Sequence, residues 1–373
     1  MRTLNQALSQ KLVLLGWAWL LMMGALSLSA NETDNFYLPL DAEMADIGPF
    51  LETVHTMALE QTVAEVNARI EKALRSNDED VRAASLQQLH DPLVLAKVFL
   101  RLFGHPMFED HQAEHALGGA WAHKVYIGQE ASHQDLGMNF SAPFLLDLRR
   151  LGNLNQSRTV KAYGVYFGTD KLVHFHHLGE AYYQMYSSLV RKGASKETAY
   201  QQVVRHYAES GVLSEKGIFG DILAGIYSNA DLAVNHVGFR FYMNLTERVA
   251  LKGEEQEPLL LRSGSFWRLN RHVRPRSGWF RIFLSDHWNE ALNPNLYQGS
   301  IRSGIHRVLQ NRAKHIVQFY TEKDGRPREP KYFENLAREL STYYGEPYGH
   351  SGHFDKILTI GNTCFPALQA AHP

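Results

Sequence analysis

Two polar stretches decide the fold of this chain: GTDKLVHF at residues 168–175 and YSNADLAVNHVG at residues 227–238. In each stretch an aspartate precedes a second polar side chain by four residues, as Asp170 precedes His174 and Asp231 precedes Asn235. Residues four apart lie on one face of an α-helix. We therefore expect two helices whose polar faces converge on one buried site.

Helical periodicity continues outside these stretches. Apolar residues recur at helical intervals through residues 51–75, up to a break at Ser76, and Ser195 is suited to cap a helix that begins at residue 196. The sequence shows no convincing strand alternation. It predicts an all-α protein, a multi-helix globular bundle with a less regular C-terminal portion. The predicted helices cover residues 51–75, 80–90, 93–103, 170–192, 196–210, 230–250, 303–320 and 332–344.

The chain divides into four predicted segments. Residues 1–30 have the pattern of a signal peptide, because basic residues precede an apolar run and small residues follow it. Residues 31–251 form the helical domain that carries both polar stretches. Residues 252–258 combine charge, Gly and Pro, which is typical of a linker or exposed loop. Residues 259–373 form an Arg- and Trp-rich, partly helical C-terminal portion that is expected to pack on the first domain.

Composition bears on location and partners. The chain has 38 Lys and Arg against 39 Asp and Glu, and this balance gives no reason to expect nucleic acid as a partner. The single cysteine, Cys364, excludes an intrachain disulfide, and no cysteine follows the signal to carry a lipid anchor. We expect a protein that is secreted across the inner membrane into a bacterial periplasm. An uncleaved signal would instead leave it membrane-associated.

The first stretch carries residue types found in acid–base and metal centres. Asp170, His174 and His177 share a predicted helical face, whereas Lys171 points elsewhere. An aspartate one turn from a histidine can orient the ring as a general base, or both can ligate a divalent metal such as zinc, with His177 as a further metal ligand on the same face. The alternative is structural, with Asp170 capping the helix and the histidines hydrogen-bonded in an aromatic core.

The second stretch is complementary to the first. Asp231 and Asn235 share a face with Gly238, which would let another helix backbone approach closely. Because the amide of Asn235 can both donate and accept, an inter-helix hydrogen-bond network is as consistent with the pattern as catalysis.

The two stretches together resemble uncharacterised bacterial envelope proteins of the YfiM-like type. The shared pattern is Asp-Lys-x-x-His-Phe, a helical spacer, and then Ala-Asp-Leu-x-x-Asn-x-x-Gly, within about residues 162–245. A shorter echo of the first part occurs in VanZ-like membrane proteins. The resemblance implies an envelope location and carries no established activity. It points to six residues, namely Asp170, Lys171, His174, Asp231, Asn235 and Gly238.

A basic and aromatic segment follows the predicted linker. Residues 259–285 contain no acid, and their arginines alternate with aromatic residues. Arginine binds phosphate and carboxylate in bidentate fashion, and aromatic rings sit well at lipid headgroups. We therefore expect Arg268, Arg271 and Trp279, together with Lys171, to hold an anionic substrate or a membrane surface. The alternative is that the arginines pair with acids elsewhere in the fold.

Two further clusters contain metal-ligand residue types. His111 and His115 flank Glu114 in an H-x-x-E-H pattern, and His111-Gln112-x-x-His115 resembles a segment of helical zinc-dependent nucleases and phospholipases of the S1/P1 type. A chance match is the alternative. Asp286 and Glu290 share a helical face and could bind a cation, or they could simply form a polar helix end.

Two functions are compatible with these patterns. The first is a metal-dependent hydrolase of phosphoester or lipid-derived envelope substrates, with catalysis by Asp170, His174, Asp231 and Asn235, and with Glu209 as an additional member of the site. The second is a non-enzymatic periplasmic protein, in which the same residues hold helices together and the arginine-rich surface binds a membrane or a protein partner.

Overall fold

The structure is a computed structural model, and it describes residues 46–103, 159–168, 170–210, 226–297, 299–322, 326, 328–343, 346–347 and 356–371. The predicted signal peptide, His111 and His115 lie outside these residues, as do the side chains of Asp170 and Glu209. Among the described residues, none of the helices combines the length and apolar character that crossing a membrane requires.

The described part of the chain is largely helical. The helices are α1 Gly48–Leu74, α2 Glu79–Leu89, α3 Pro92–Phe103, α4 Asp170–Val173, α5 Gly179–Arg191, α6 Lys196–Arg205, α7 Asn229–Asn244, α8 Gly299–Asn311, α9 Ala313–Glu322, α10 Pro330–Leu340 and α11 Ile360–Ala371. A π-helical turn, His174–Leu178, joins α4 to α5 without interruption, and a second one, His206–Ser210, follows α6.

Short antiparallel strand pairs qualify the all-α prediction. The strands are β1 Thr159–Ala162, β2 Val165–Gly168, β3 Ile226–Tyr227, β4 Val249–Leu251, β5 Glu254–Gln256, β6 Leu260–Ser263, β7 Phe266–Leu269, β8 Leu296–Tyr297, β9 Thr342–Tyr343 and β10 Glu346–Pro347. They form the pairs β1–β2, β3–β8, β4–β5, β6–β7 and β9–β10. Each strand is at most four residues long, which is too short to produce a clear alternation in sequence.

Side-chain caps start two of the helices, α6 and α7. The hydroxyl of Ser195 accepts from the backbone N–H of Thr198 at 3.1 Å, as the sequence predicted for α6. Ser228 caps α7 in the same way through the N–H of Asp231, also at 3.1 Å. The first residue of α7 is held from outside, because the amide of Asn229 donates to the carbonyl of Pro294 at 2.6 Å.

The β1–β2 hairpin fixes the start of α4. Its turn at Tyr163 and Gly164 has positive φ at both residues, and both backbone N–H groups donate to Asp46, at 2.7 and 2.8 Å. The Tyr163 hydroxyl donates to the buried Glu52 of α1 at 2.5 Å. Because β2 runs almost directly into α4, these bonds also position Lys171.

Helices α5 and α7 cross in close contact at two glycines. A Cβ on Gly238 would lie 2.0 Å from the carbonyl oxygen of Phe175, and a Cβ on Gly179 would lie 2.5 Å from the backbone of Gly238. Neither position has room for a side chain, so the prediction that Gly238 allows a close backbone approach is confirmed.

The buried apolar residues of the described ranges form two clusters. The first extends along the chain from Ile47 to Trp288, and the second begins at Ala291 and ends at Cys364. The predicted linker, residues 252–258, contains a tight turn with positive φ at Lys252 and Gly253, followed by β5. Residues on both sides of it contribute to the first cluster. Residues 289–290 lie between the two clusters in sequence.

Candidate functional site: a buried lysine between two carboxylates

A lysine lies at the centre of the polar site. The Lys171 Nζ is 2.6 Å from Asp231 Oδ1 and 2.6 Å from Glu290 Oε1. The side chains of all three residues are at most 1% exposed. A charge this far from water is tolerable only when it is neutralised, and here three segments that are distant in sequence supply the charges.

His174 extends the site towards the surface. Its Nδ1 is 3.1 Å from Asn235 Oδ1, and its Nε2 is 3.5 Å from Asp231 Oδ2. Both ring nitrogens therefore face oxygen atoms. Either the ring carries two protons and balances the second carboxylate, or the Asn235 amide is rotated and donates to Nδ1. We call Lys171, His174, Asp231, Asn235 and Glu290 the lysine network.

The charges of the network hold Asp231 in its ionised form. Burial alone would raise the pKa of this carboxyl group, but the neighbouring His174 ring, the positive charge of Lys171 and the hydrogen bonds from Lys171 and Ser228 outweigh it. The net effect lowers the pKa below its usual value of 3.8. Asp231 is thus an anion at neutral pH, as the contact with Lys171 requires.

A second polar cluster lies two residues further along the same π turn. His176 Nε2 is 3.0 Å from His55 Nε2, and His55 Nδ1 is 2.6 Å from the carbonyl oxygen of Leu51. Since a carbonyl only accepts, His55 is protonated on Nδ1 and receives the Nε2 proton of His176. We call His55 and His176 the histidine pair.

The histidine pair is uncharged. Burial lowers the pKa of His55 from 6.5 to about 4, against the opposing effect of its hydrogen bond to Leu51. Burial, and then the rings of His55 and His177, also lowers the pKa of His176. Phe99, Phe175, Phe241 and Phe280 surround the pair, which therefore lies within an aromatic core.

The structure brings together most of the residues that the two sequence stretches indicated. His174, Asp231 and Asn235 converge, and Lys171 joins them although the helical wheel placed it on another face. Glu290 is the member that sequence reasoning left out of the site. Its pairing with Asp286 was the available signal, but nothing in the sequence connects it to a lysine more than a hundred residues earlier.

The other candidate residues lie elsewhere. Arg268 and Arg271 are exposed. Trp279 is buried and its indole N–H donates to the hydroxyl of Thr56 at 3.0 Å, so this ring is part of the first apolar cluster. His177 is partly buried.

The lysine network does not fit a divalent metal. The ammonium group of Lys171 lies within 2.6 Å of both carboxylates and takes the position that a cation would need. Within the described ranges, no group of three or more His, Cys, Asp or Glu side chains is arranged to hold a metal ion. The other proposed ligands, His111 and His115, lie outside the described residues.

Comparison of the chain with protein-family models, with curated proteins and with solved structures finds no match.

Proposed function

We propose that this protein is an exported, non-enzymatic protein of the bacterial envelope that binds anionic membrane surfaces through residues 259–285, the arginine segment. The lysine network then serves to hold α4, α7 and the segment around Glu290 together. The hydrolase hypothesis needs an open cleft at the network. The sealed and neutralised lysine favours the structural role.

One observation carries this proposal: the arginines of the segment are exposed and lack acidic partners among the described residues. All six, which are Arg262, Arg268, Arg271, Arg274, Arg276 and Arg281, are exposed. None of them has a carboxylate within 4.0 Å in the part of the chain that the structure describes, whereas Arg69, Arg101 and Arg191 do. Unpaired guanidinium groups remain available for phosphate.

The β6–β7 hairpin shows how the segment is presented. Trp267 is buried, and its backbone exchanges two hydrogen bonds with the Asn67 side chain of α1, at 2.8 and 2.9 Å. Neighbouring residues in a strand point to opposite faces, so Phe266 and Arg268 point away from α1. Phe266 is 36% exposed. An exposed ring beside an arginine suits the boundary between lipid headgroups and acyl chains.

The expected affinity is modest. A basic residue near an anionic membrane contributes about 1 kcal/mol, so six arginines could contribute at most about 6 kcal/mol. That energy corresponds to a dissociation constant between micromolar and millimolar. Because the attraction is electrostatic, it should weaken as salt is added.

Vesicle co-sedimentation of the purified full chain tests the proposal. We expect binding to vesicles of equal parts phosphatidylglycerol and phosphatidylcholine, and none to pure phosphatidylcholine. The double variant Arg268→Gln, Arg271→Gln should lower the affinity about thirtyfold, since it removes two of these contributions.

The matched control is Arg69→Gln, Arg75→Gln, which removes the same net charge from exposed arginines that are paired with Glu65 and Glu71. It should bind nearly as well as the unaltered protein. Equal losses in the two double variants, or binding that ignores lipid charge, would overturn the proposal.

A further inference from the structure

A cleft of about 510 Å³ lies away from the lysine network, between α5, α6, α7 and the β4–β5 hairpin. Its volume is in the range of small-molecule sites in proteins, roughly 300–1,000 Å³. Its lining includes Tyr186, Lys196, Glu197, Tyr200, Arg240 and Met243.

Two hydrogen-bond donors in the cleft have no partner among the described residues. The Tyr186 hydroxyl is buried, on a residue only 4% exposed, and it bonds to no described group. The Arg240 Nε–H is buried and unpartnered in the same way. Buried donors are almost always satisfied in folded proteins, so two in one cleft indicate a missing acceptor.

The rest of Arg240 is held in place. Its Nη2 donates to the carbonyl oxygen of Ala250 at 2.9 Å, and its guanidinium carbon lies 5.4 Å from the centre of the Tyr200 ring. No carboxylate of the described residues lies within 4.0 Å of it, so its charge is not neutralised there by a described acid. The free Nε–H edge, the charge and the Tyr186 hydroxyl together suit one oxyanion.

Apolar surface lies beside these donors. The Tyr200 hydroxyl contacts the ring of His236, so its polar end is already engaged. The thioether of Met243 adds a second apolar wall. A ligand should therefore combine an oxyanion with a small apolar body.

Acidic residues nearby limit the charge of that ligand. Glu197 lines the cleft, and Glu247 binds Lys196 with 2.7 Å between Nζ and Oε2. Burial is the largest cause that acts on the pKa of Tyr186, and it raises this pKa. The charges of Glu247, Lys196 and Arg240 are also close enough to affect it. Two carboxylates beside the cleft would repel a dianionic phosphate more strongly than a singly charged carboxylate.

We propose that this cleft binds a small monocarboxylate with an apolar body, whose carboxylate accepts from Arg240 Nε–H and the Tyr186 hydroxyl while the body packs on Tyr200 and Met243. The site is independent of the arginine segment and of the lysine network.

Isothermal titration of the full chain with benzoate, hexanoate and the neutral benzamide tests the site. We expect benzoate or hexanoate to bind and benzamide not to bind. Tyr186→Phe should weaken carboxylate binding about tenfold or more, because it removes one hydrogen bond to a charged group. It should leave the melting temperature unchanged, since that hydroxyl has no partner in the described fold.

Tyr183→Phe is the matched control, because Tyr183 is a buried tyrosine on the same helix that does not line the cleft. It should bind as the unaltered protein does. Arg240→Lys keeps the charge but removes the Nε–H edge, and it should also lose binding, which covers the case in which Tyr186→Phe fails to fold. If neither carboxylate binds, if benzamide binds equally well, or if a folded Tyr186→Phe or Arg240→Lys binds benzoate and hexanoate normally, the proposal is wrong.

Discussion

The lysine network and the histidine pair are two ways of burying polar groups, and only Phe175 separates His174 of the first from His176 of the second. The lysine network keeps its charges and places opposite charges in contact, with the Lys171 Nζ 2.6 Å from each of two carboxylates. The histidine pair is neutral, and one hydrogen bond joins its two rings. The comparison shows that one helical turn can bury polar side chains in two ways. Around His174 opposite charges are paired, and around His176 the side chains are uncharged.

The largest effect should come from breaking the charge balance. Lys171→Met removes the cation that lies within 2.6 Å of the buried carboxylates of Asp231 and Glu290, so the free energy of unfolding should fall by about 3–5 kcal/mol. Urea denaturation measures this change. The matched control is Lys196→Met, because the ion pair of Lys196 with Glu247 has the same kind of contact but a lysine that is 65% exposed. It should cost less than about 1 kcal/mol.

The same substitution allows a rescue experiment. Adding Asp231→Asn and Glu290→Gln to Lys171→Met removes the uncompensated charges, so part of the lost stability should return. If Lys171→Met cost no more than Lys196→Met, the buried ion pairs would not stabilise the fold as proposed.

Lowering the pH should change the stability contributions of the two clusters differently. The pKa of His55 is about 4 in the folded protein and near 6.5 when unfolded, so the unfolded chain binds more protons between these values. The free energy of unfolding should therefore decrease as the pH falls from 6.5 to 4, by about 3 kcal/mol for this one group. Asp231 should keep its contribution over that window, because its pKa lies below 3.8 in the folded protein and its carboxylate loses its charge only at lower pH.

Denaturation at a series of pH values in the unaltered protein and in His55→Phe, His176→Phe measures this difference. The double variant should show a shallower slope, with a remainder from other buried histidines such as His236, whose pKa burial lowers to about 3. An unchanged slope would show that the histidine pair is not the acid-sensitive cluster.

A substitution at Gly238 should disturb both clusters at once, with a smaller loss of stability. The backbone of Gly238 touches the carbonyl of Phe175, the residue between His174 and His176. Gly238→Ala would gain about 1 kcal/mol of helix propensity, yet its Cβ would lie 2.0 Å from that oxygen. The overlap should dominate, with a net loss of about 1–3 kcal/mol in urea denaturation. Unchanged stability would mean that α7 can move away from Phe175 without weakening the lysine network or the histidine pair.

Sequence periodicity could locate the helices but not all of their ends. Ser195 and its helix were predicted correctly, because capping and periodicity are local signals. The predicted helix 230–250 ends early, at Asn244, because Val249–Leu251 pairs with Glu254–Gln256 as a short hairpin. The predicted helix 303–320 is two helices that separate at Arg312.

The sequence predicted which residues of α7 share a face, but it did not predict that Lys171 and Glu290 would contact them. The four-residue spacing within α7 brings Asp231 and Asn235 to the same histidine, as expected. A helical wheel records where a Cβ points, whereas the long chain of Lys171 carries its ammonium group beyond that direction. Glu290 is far from Lys171 and Asp231 in sequence and meets them only in the folded protein. No local sequence pattern indicates that contact.

The π turn at His174–Leu178 also has a consequence for comparing this chain with relatives. A π turn holds one residue more than the α-helix it interrupts, so it corresponds to a single-residue insertion in an otherwise regular helix. In a relative with a continuous α-helix, Lys171 and Glu180 would be separated by one position fewer. An alignment without a gap here would match the residues on one side of the turn to the wrong partners, and the gap itself would mark which chains share this arrangement of His174 and His176.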